Sequence, residues 1–183
     1  MTGRRLLLGF SAANLLLLLL AFSPLCAQQA GSGFLKVKAH PGRAGVFVDG
    51  KYVGPAANFG MARKYTVAVG EHEIILREPR YQEYKTTVKI EAGRTATVSQ
   101  SMQARPLATP PFGKLKAAGF EKYAAIYVND AYMGHTDEFN GPNQGLLLNP
   151  GDYSVKVTSQ AGSTLLEEKV TVQTDQVHTL RAK

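Results

Sequence analysis

Apolar and polar residues alternate along most of this chain with a period of two. Leu35 and Val37 alternate with Lys36 and Lys38; Tyr153, Val155 and Val157 alternate with Ser154, Lys156 and Thr158. Val170 and Val172 alternate in the same way with Lys169 and Thr171. Successive side chains of a strand point to opposite faces, so this pattern predicts half-buried β-strands. Beyond residue 27 no segment carries a sustained helical stripe. Turn signals recur every 8 to 12 residues or so, as in a small sandwich. Residues 45–54 read as a hairpin with Asp49-Gly50 at its turn, a pair suited to two consecutive positive φ angles. Asn129-Asp130 occupies the same place between two later strands, and Asn and Asp tolerate that geometry best among non-glycine residues. A second hairpin is expected where residues 91–94 join 86–90 to 95–98. Its counterpart is expected where residues 173–176 join 168–172 to 177–180.

The chain repeats itself. At an offset of 80, Val48, Tyr52, Gly54 and Phe59 meet Val128, Tyr132, Gly134 and Phe139. At 81, Gly70 meets Gly151, and Ile74 and Leu76 meet Val155 and Val157. At 82, Val88 and Ile90 meet Val170 and Val172, and Val98 meets Leu180. The offset drifts by two residues in all, so the insertions fall in loops. Two all-β sandwich domains are therefore expected, over residues 34–102 and 112–183. Residues 103–111 hold three prolines and read as an extended linker. Residues 28–33 are small and polar and read as a flexible start.

The N-terminus departs from this pattern. Arg4 and Arg5 precede an apolar stretch over residues 6–22, which ends at Ser23-Pro24 and the small residue Ala27. Basic head, apolar middle and small-residue exit are the parts of a secretory signal peptide, with cleavage expected between Ala27 and Gln28. The alternative is a retained membrane anchor. A lipid anchor on Cys26 fits poorly, because Leu25 rather than a small residue precedes it. Loss of residues 1–27 lowers the net charge from +7 to +5, since they carry two arginines and no acid. Cys26 is the single cysteine, so the exported chain has no disulfide and its domains must rest on packed cores. The basic residues are scattered, without a run of five or six like charges, which points away from nucleic acid.

Several motifs resemble the PEGA-domain family of bacterial envelope proteins. They are Pro41-Gly42-Arg43-Ala44 leading into Val46-Phe47-Val48-Asp49-Gly50-Lys51-Tyr52-Val53-Gly54, then Gly70-Glu71-His72-Glu73-Ile74 and Pro79-Arg80-Tyr81. The naming motif is altered, with Gly42-Arg43 in place of Glu-Gly. The second repeat lacks that motif but keeps Tyr127-Val128-Asn129-Asp130-Ala131-Tyr132-Met133-Gly134 and Pro150-Gly151-Asp152-Tyr153, as a divergent copy would. The resemblance implies small sandwiches of the transthyretin or carbohydrate-binding type. It implies an accessory role at the envelope and no catalytic residue.

Candidate chemistry is sparse. A hydrolytic triad needs nucleophile, base and orienting acid at one site. The histidines at 40, 72, 135 and 178 fall at four different repeat positions. His72 aligns with Tyr153 on an inward row and reads as packed and hydrogen-bonded. His135, Asp137, Glu138 and Asn140 could offer metal ligands, but their spacing fits no calcium loop, and repeat 1 has nothing similar. No metal, cofactor or catalytic residue is therefore expected. Sugar sites stack rings on exposed aromatics and fix hydroxyls with amides. On that basis Tyr52, Tyr132, Tyr81, Tyr84 and Asn140 are the candidate ligand-binding residues. The alternative for each tyrosine is cross-strand packing. The expected function is an exported, non-catalytic binding or structural module, with glycan as candidate ligand. It would be periplasmic, envelope-associated or secreted. The competing reading is a protein-interaction module using edge strands or apolar patches. The partners expected are an envelope polysaccharide or another envelope protein. Membrane contact is expected only through an uncleaved N-terminal segment.

Overall fold

A computed structural model of the chain describes residues 31–60, 63–106 and 109–182. The expected signal peptide and its cleavage point lie outside these residues. No helix among the described residues is long and apolar enough to cross a membrane.

The first sandwich contains strands β1 (Ser32–His40), β2 (Gly45–Val48), β3 (Lys51–Pro55), β4 (Tyr65–Ala68), β5 (Gly70–Arg77), β6 (Tyr84–Ile90) and β7 (Thr95–Ser101). A three-stranded sheet ordered β4-β1-β7 faces a four-stranded sheet ordered β3-β2-β5-β6. The second sandwich contains β8 (Gly113–Ala118), β9 (Ala125–Val128), β10 (Ala131–His135), β11 (Leu146–Leu148), β12 (Gly151–Thr158), β13 (Thr164–Val172) and β14 (Val177–Arg181). Its sheets run β11-β8-β14 and β10-β9-β12-β13, strand for strand the same order. The alternating residues close each core: Leu35, Val37, Ile74, Leu76, Ile90 and Val98 in the first, and Leu115, Ala117, Val155, Val157, Val172 and Leu180 in the second.

Both hairpin turns take the predicted geometry. Asp49 and Gly50 have φ of 50° and 78°, and Asn129 and Asp130 have 47° and 62°. In each turn the first side chain also clamps the neighbouring strand. Asp49 Oδ1 accepts from the Glu73 amide at 3.0 Å, and Asn129 Oδ1 accepts from the Ser154 amide at 2.9 Å. Both hairpins carry the same bulge, at Val53 and at Met133, where the register shifts. Past it, Gly54 and Gly134 have φ of 131° and 128°. A Cβ there would lie 3.4 Å from the Phe59 ring and 2.9 Å from the Phe139 ring. Glycine thus lets each phenylalanine tuck under its sandwich, where both are buried.

Two expectations need correction. The turns over residues 91–94 and 173–176 exist, but neither closes a hairpin. β7 leaves the β6 sheet and pairs in parallel with β1, and β14 likewise pairs with β8. The turns hand their hydrogen bonds to the central strand of the opposite layer: Phe34 N donates to Arg94 O, and Lys114 N to Gln176 O, each at 2.8 Å. Nor is the start loose throughout. Ser32 and Gly33 belong to β1, and a Cβ on Gly33 would lie 2.3 Å from Glu91 O. Gly113 does the same under the second turn, 2.2 Å from Gln173 O. Glycine is needed where the central strand passes beneath the chain that changes layers.

The linker is anchored at both ends. Gln82 N donates to Gln103 O at 2.8 Å and Arg105 N to Arg80 O at 2.6 Å. Asn149 Nδ2 donates to the carbonyls of Thr109 and Pro111 at 2.9 and 2.8 Å.

Candidate functional site

Strands β2, β5 and β9 carry continuous apolar runs rather than alternation: Val46-Phe47-Val48, Ile74-Ile75-Leu76 and Ile126-Tyr127-Val128. Such runs mark strands covered on both faces. One face fills the sandwich. The other brings Phe47, Tyr52 and Ile75 of the first repeat against Ala125, Tyr127 and Tyr132 of the second. The four-stranded sheets therefore meet back to back, leaving the three-stranded sheets on the outside. Phe47 and Tyr52 each stand 5.4 Å from Tyr132 between ring centroids, the former edge to face. Gly45 makes room, since a Cβ there would lie 2.6 Å from the Tyr132 ring. Because Tyr52 and Tyr132 are repeat equivalents, the junction is close to an isologous contact within one chain.

Tyr52 and Tyr132 take the packed alternative. They are 5% and 6% exposed and offer no open ring face to a sugar. Burial pushes both hydroxyls well above the ordinary tyrosine range. The hydroxyls affect each other's ionisation, yet neither makes a hydrogen bond of good geometry.

Charged groups continue the junction. Glu78 is buried and accepts from Arg43 Nε at 3.1 Å, Arg80 Nε at 2.7 Å and the Arg80 amide at 2.8 Å. Glu138 of the second repeat faces the same arginines, with Oε2 at 3.8 Å from each. Desolvation raises the Glu138 pKa, against the pull of His135 and the two arginines. His135 is buried. Its Nδ1 contacts Asp137, and its Nε2 lies 3.4 Å from Glu138 Oε1, out of hydrogen-bond alignment. Among the described residues no group of three or more His, Cys, Asp or Glu side chains is placed to hold a metal ion.

Two grooves flank the junction. One, of about 310 Å³, is lined by Arg77, Glu78, Tyr81 and Glu83 from the first repeat, Arg105 from the linker, and Asp130 and Tyr132 from the second. The other, of about 560 Å³, is lined by Lys51, Phe59, Arg63, Lys64 and Tyr65 with Gln160. Tyr81 lies at the first groove, half-buried and tied to the linker by its bridge to Ala104. Tyr81 and Tyr84 both pack on the first core, Tyr84 at the start of β6, and Asn140 stands exposed beyond Phe139. Neither Tyr84 nor Asn140 lines a groove. His72 is half-buried and hydrogen-bonded, its Nδ1 to Asp49 at 2.6 Å and its Nε2 to the Ala68 carbonyl at 2.9 Å. The charged members of the first groove went unread in the sequence, because only the docking of the repeats brings them together.

This architecture is that of small all-β modules, two seven-stranded sandwiches in tandem. Residues 32–106, spanning the first sandwich and the start of the linker, match the PEGA domain family, a family of non-catalytic modules. No curated protein matches the chain.

Proposed function

We propose that the chain is an exported binding module of the bacterial cell envelope that takes a glycan in the groove beside Tyr81. The observation that carries this reading is the groove itself. Side chains from both repeats and the linker converge there, with one half-buried aromatic ring among hydrogen-bonding carboxylates and guanidinium groups. A partly exposed aromatic ring and several polar groups are what an amphipathic sugar needs. The basic head and apolar stretch at the N-terminus support export, and the PEGA match supports a non-catalytic role. Purified peptidoglycan and envelope polysaccharides are expected to carry the protein into the pellet. Tyr81→Ala should weaken that retention about tenfold while leaving the fold intact. Protein left wholly in the supernatant would reject the glycan reading in favour of a protein partner. N-terminal sequencing of protein recovered from the envelope should begin at Gln28. A chain still starting ahead of Ser23 would remove the cleavage step.

A further inference from the structure

The six strands of the two outer sheets, β4-β1-β7 and β11-β8-β14, contain Lys36, Lys38, Lys114, Lys116 and Arg181 and no Asp or Glu. The acidic strand residues all lie on the four-stranded sheets that dock. On the second outer sheet this charge meets apolar surface. Leu115, Leu146 and Leu180 point into the core, so Lys114, Leu147 and Val177 point out. Leu147 and Val177 both pair with Lys114, one from each side, and form a single cross-strand row. They are 52% and 57% exposed, the two exposed large hydrophobic residues among those described. Lys116 pairs with Thr179 and Arg181 with Ala118 along the same face. Lys116 Nζ reaches the Pro142 carbonyl, which leaves its charge uncompensated. Glu168 pairs with His178, which belongs to the inward row, and Asp175 stands in the turn ahead of β14.

We infer that the outer face of β11-β8-β14 docks on an anionic phospholipid surface. Cations held beside exposed aliphatic side chains match a bilayer interface, where phosphates meet hydrocarbon. An anionic polymer alone would leave Leu147 and Val177 with nothing to bury them. The equivalent face of the first sandwich differs, because Phe34 is covered by Lys64 at 5.0 Å. This contact is separate from any held by the N-terminal segment and from the groove beside Tyr81.

The chain has no tryptophan, so one introduced at the face reports alone. In the full chain, Leu147→Trp emission should shift to the blue with vesicles containing phosphatidylglycerol, and brominated lipid should quench it. Vesicles of phosphatidylcholine alone should leave it unchanged. Adding Lys114→Glu should weaken the response on the order of tenfold. Glu167→Trp, on the opposite sheet, should stay at its aqueous wavelength, and Val177→Trp repeats the test should Leu147→Trp misfold. The inference is overturned if the protein pellets with anionic vesicles while both face tryptophans keep their aqueous emission. That result would leave the N-terminal segment as the whole anchor. It is equally overturned if neutral vesicles give the same shift, or if soluble dextran sulfate rather than vesicles produces it.

Discussion

Asp49 performs two tasks with one carboxylate. It takes the left-handed backbone of the turn, and its two oxygens accept from the Glu73 amide and from His72. The hydrogen bond from His72 leads the effects that hold its carboxyl below the ordinary range. A carboxylate with a lowered folded pKa binds fewer protons in the native than in the unfolded chain. Its contribution is therefore complete above the unfolded carboxylate pKa and is lost as the pH falls through the lowered value. The group is largely exposed, so the effect is modest. Asn129 does the same backbone work in the second repeat without ionising. Asp49→Asn should accordingly flatten the acid side of a stability-against-pH curve from urea unfolding. An unchanged acid slope would show that the pairing with His72 contributes nothing. This residue pair was partly legible, since Asp-Gly announced the turn and His72 read as hydrogen-bonded. Its partner could not be read, because the two lie 23 residues apart along the chain.

At the scale of elements, alternation established which residues face the core but not which layer a strand joins. Ile90 and Val98 point into one core, and so do Val172 and Leu180, whether or not their strands pair with each other. A tight turn between alternating segments therefore resembled a hairpin. The deciding feature is steric and sits elsewhere, at Gly33 and Gly113, where the central strand runs against the crossing carbonyl. Gly113→Ala would place a methyl 2.2 Å from Gln173 O, which must then move. The variant should lose about 1–3 kcal/mol, as overpacking commonly does, measured by urea denaturation. A loss within about 0.5 kcal/mol, the range of neutral surface changes, would mean that the crossover does not depend on this close approach.

At the scale of the whole molecule, two repeats too small to bury much surface alone gain a third apolar cluster by docking. The apolar runs of β2, β5 and β9 were the signal for it, for they leave no face of those strands free. Tyr52 and Tyr132 hold equivalent places in their hairpins, and that equivalence serves the junction rather than an open sugar platform. Tyr81 is the half-buried aromatic of the smaller groove, and it shares that groove with Asp130 and Tyr132, 49 and 51 residues further along the chain, only after the sheets have met. The claim that this meeting creates a glycan site is tested most directly by titrating soluble peptidoglycan fragments and envelope polysaccharide into isotope-labelled protein while recording amide chemical shifts. Changes are expected to converge from both repeats, on residues 77–83 and 130–132. Shifts confined to one sandwich away from the junction, or none at saturating ligand, would contradict it.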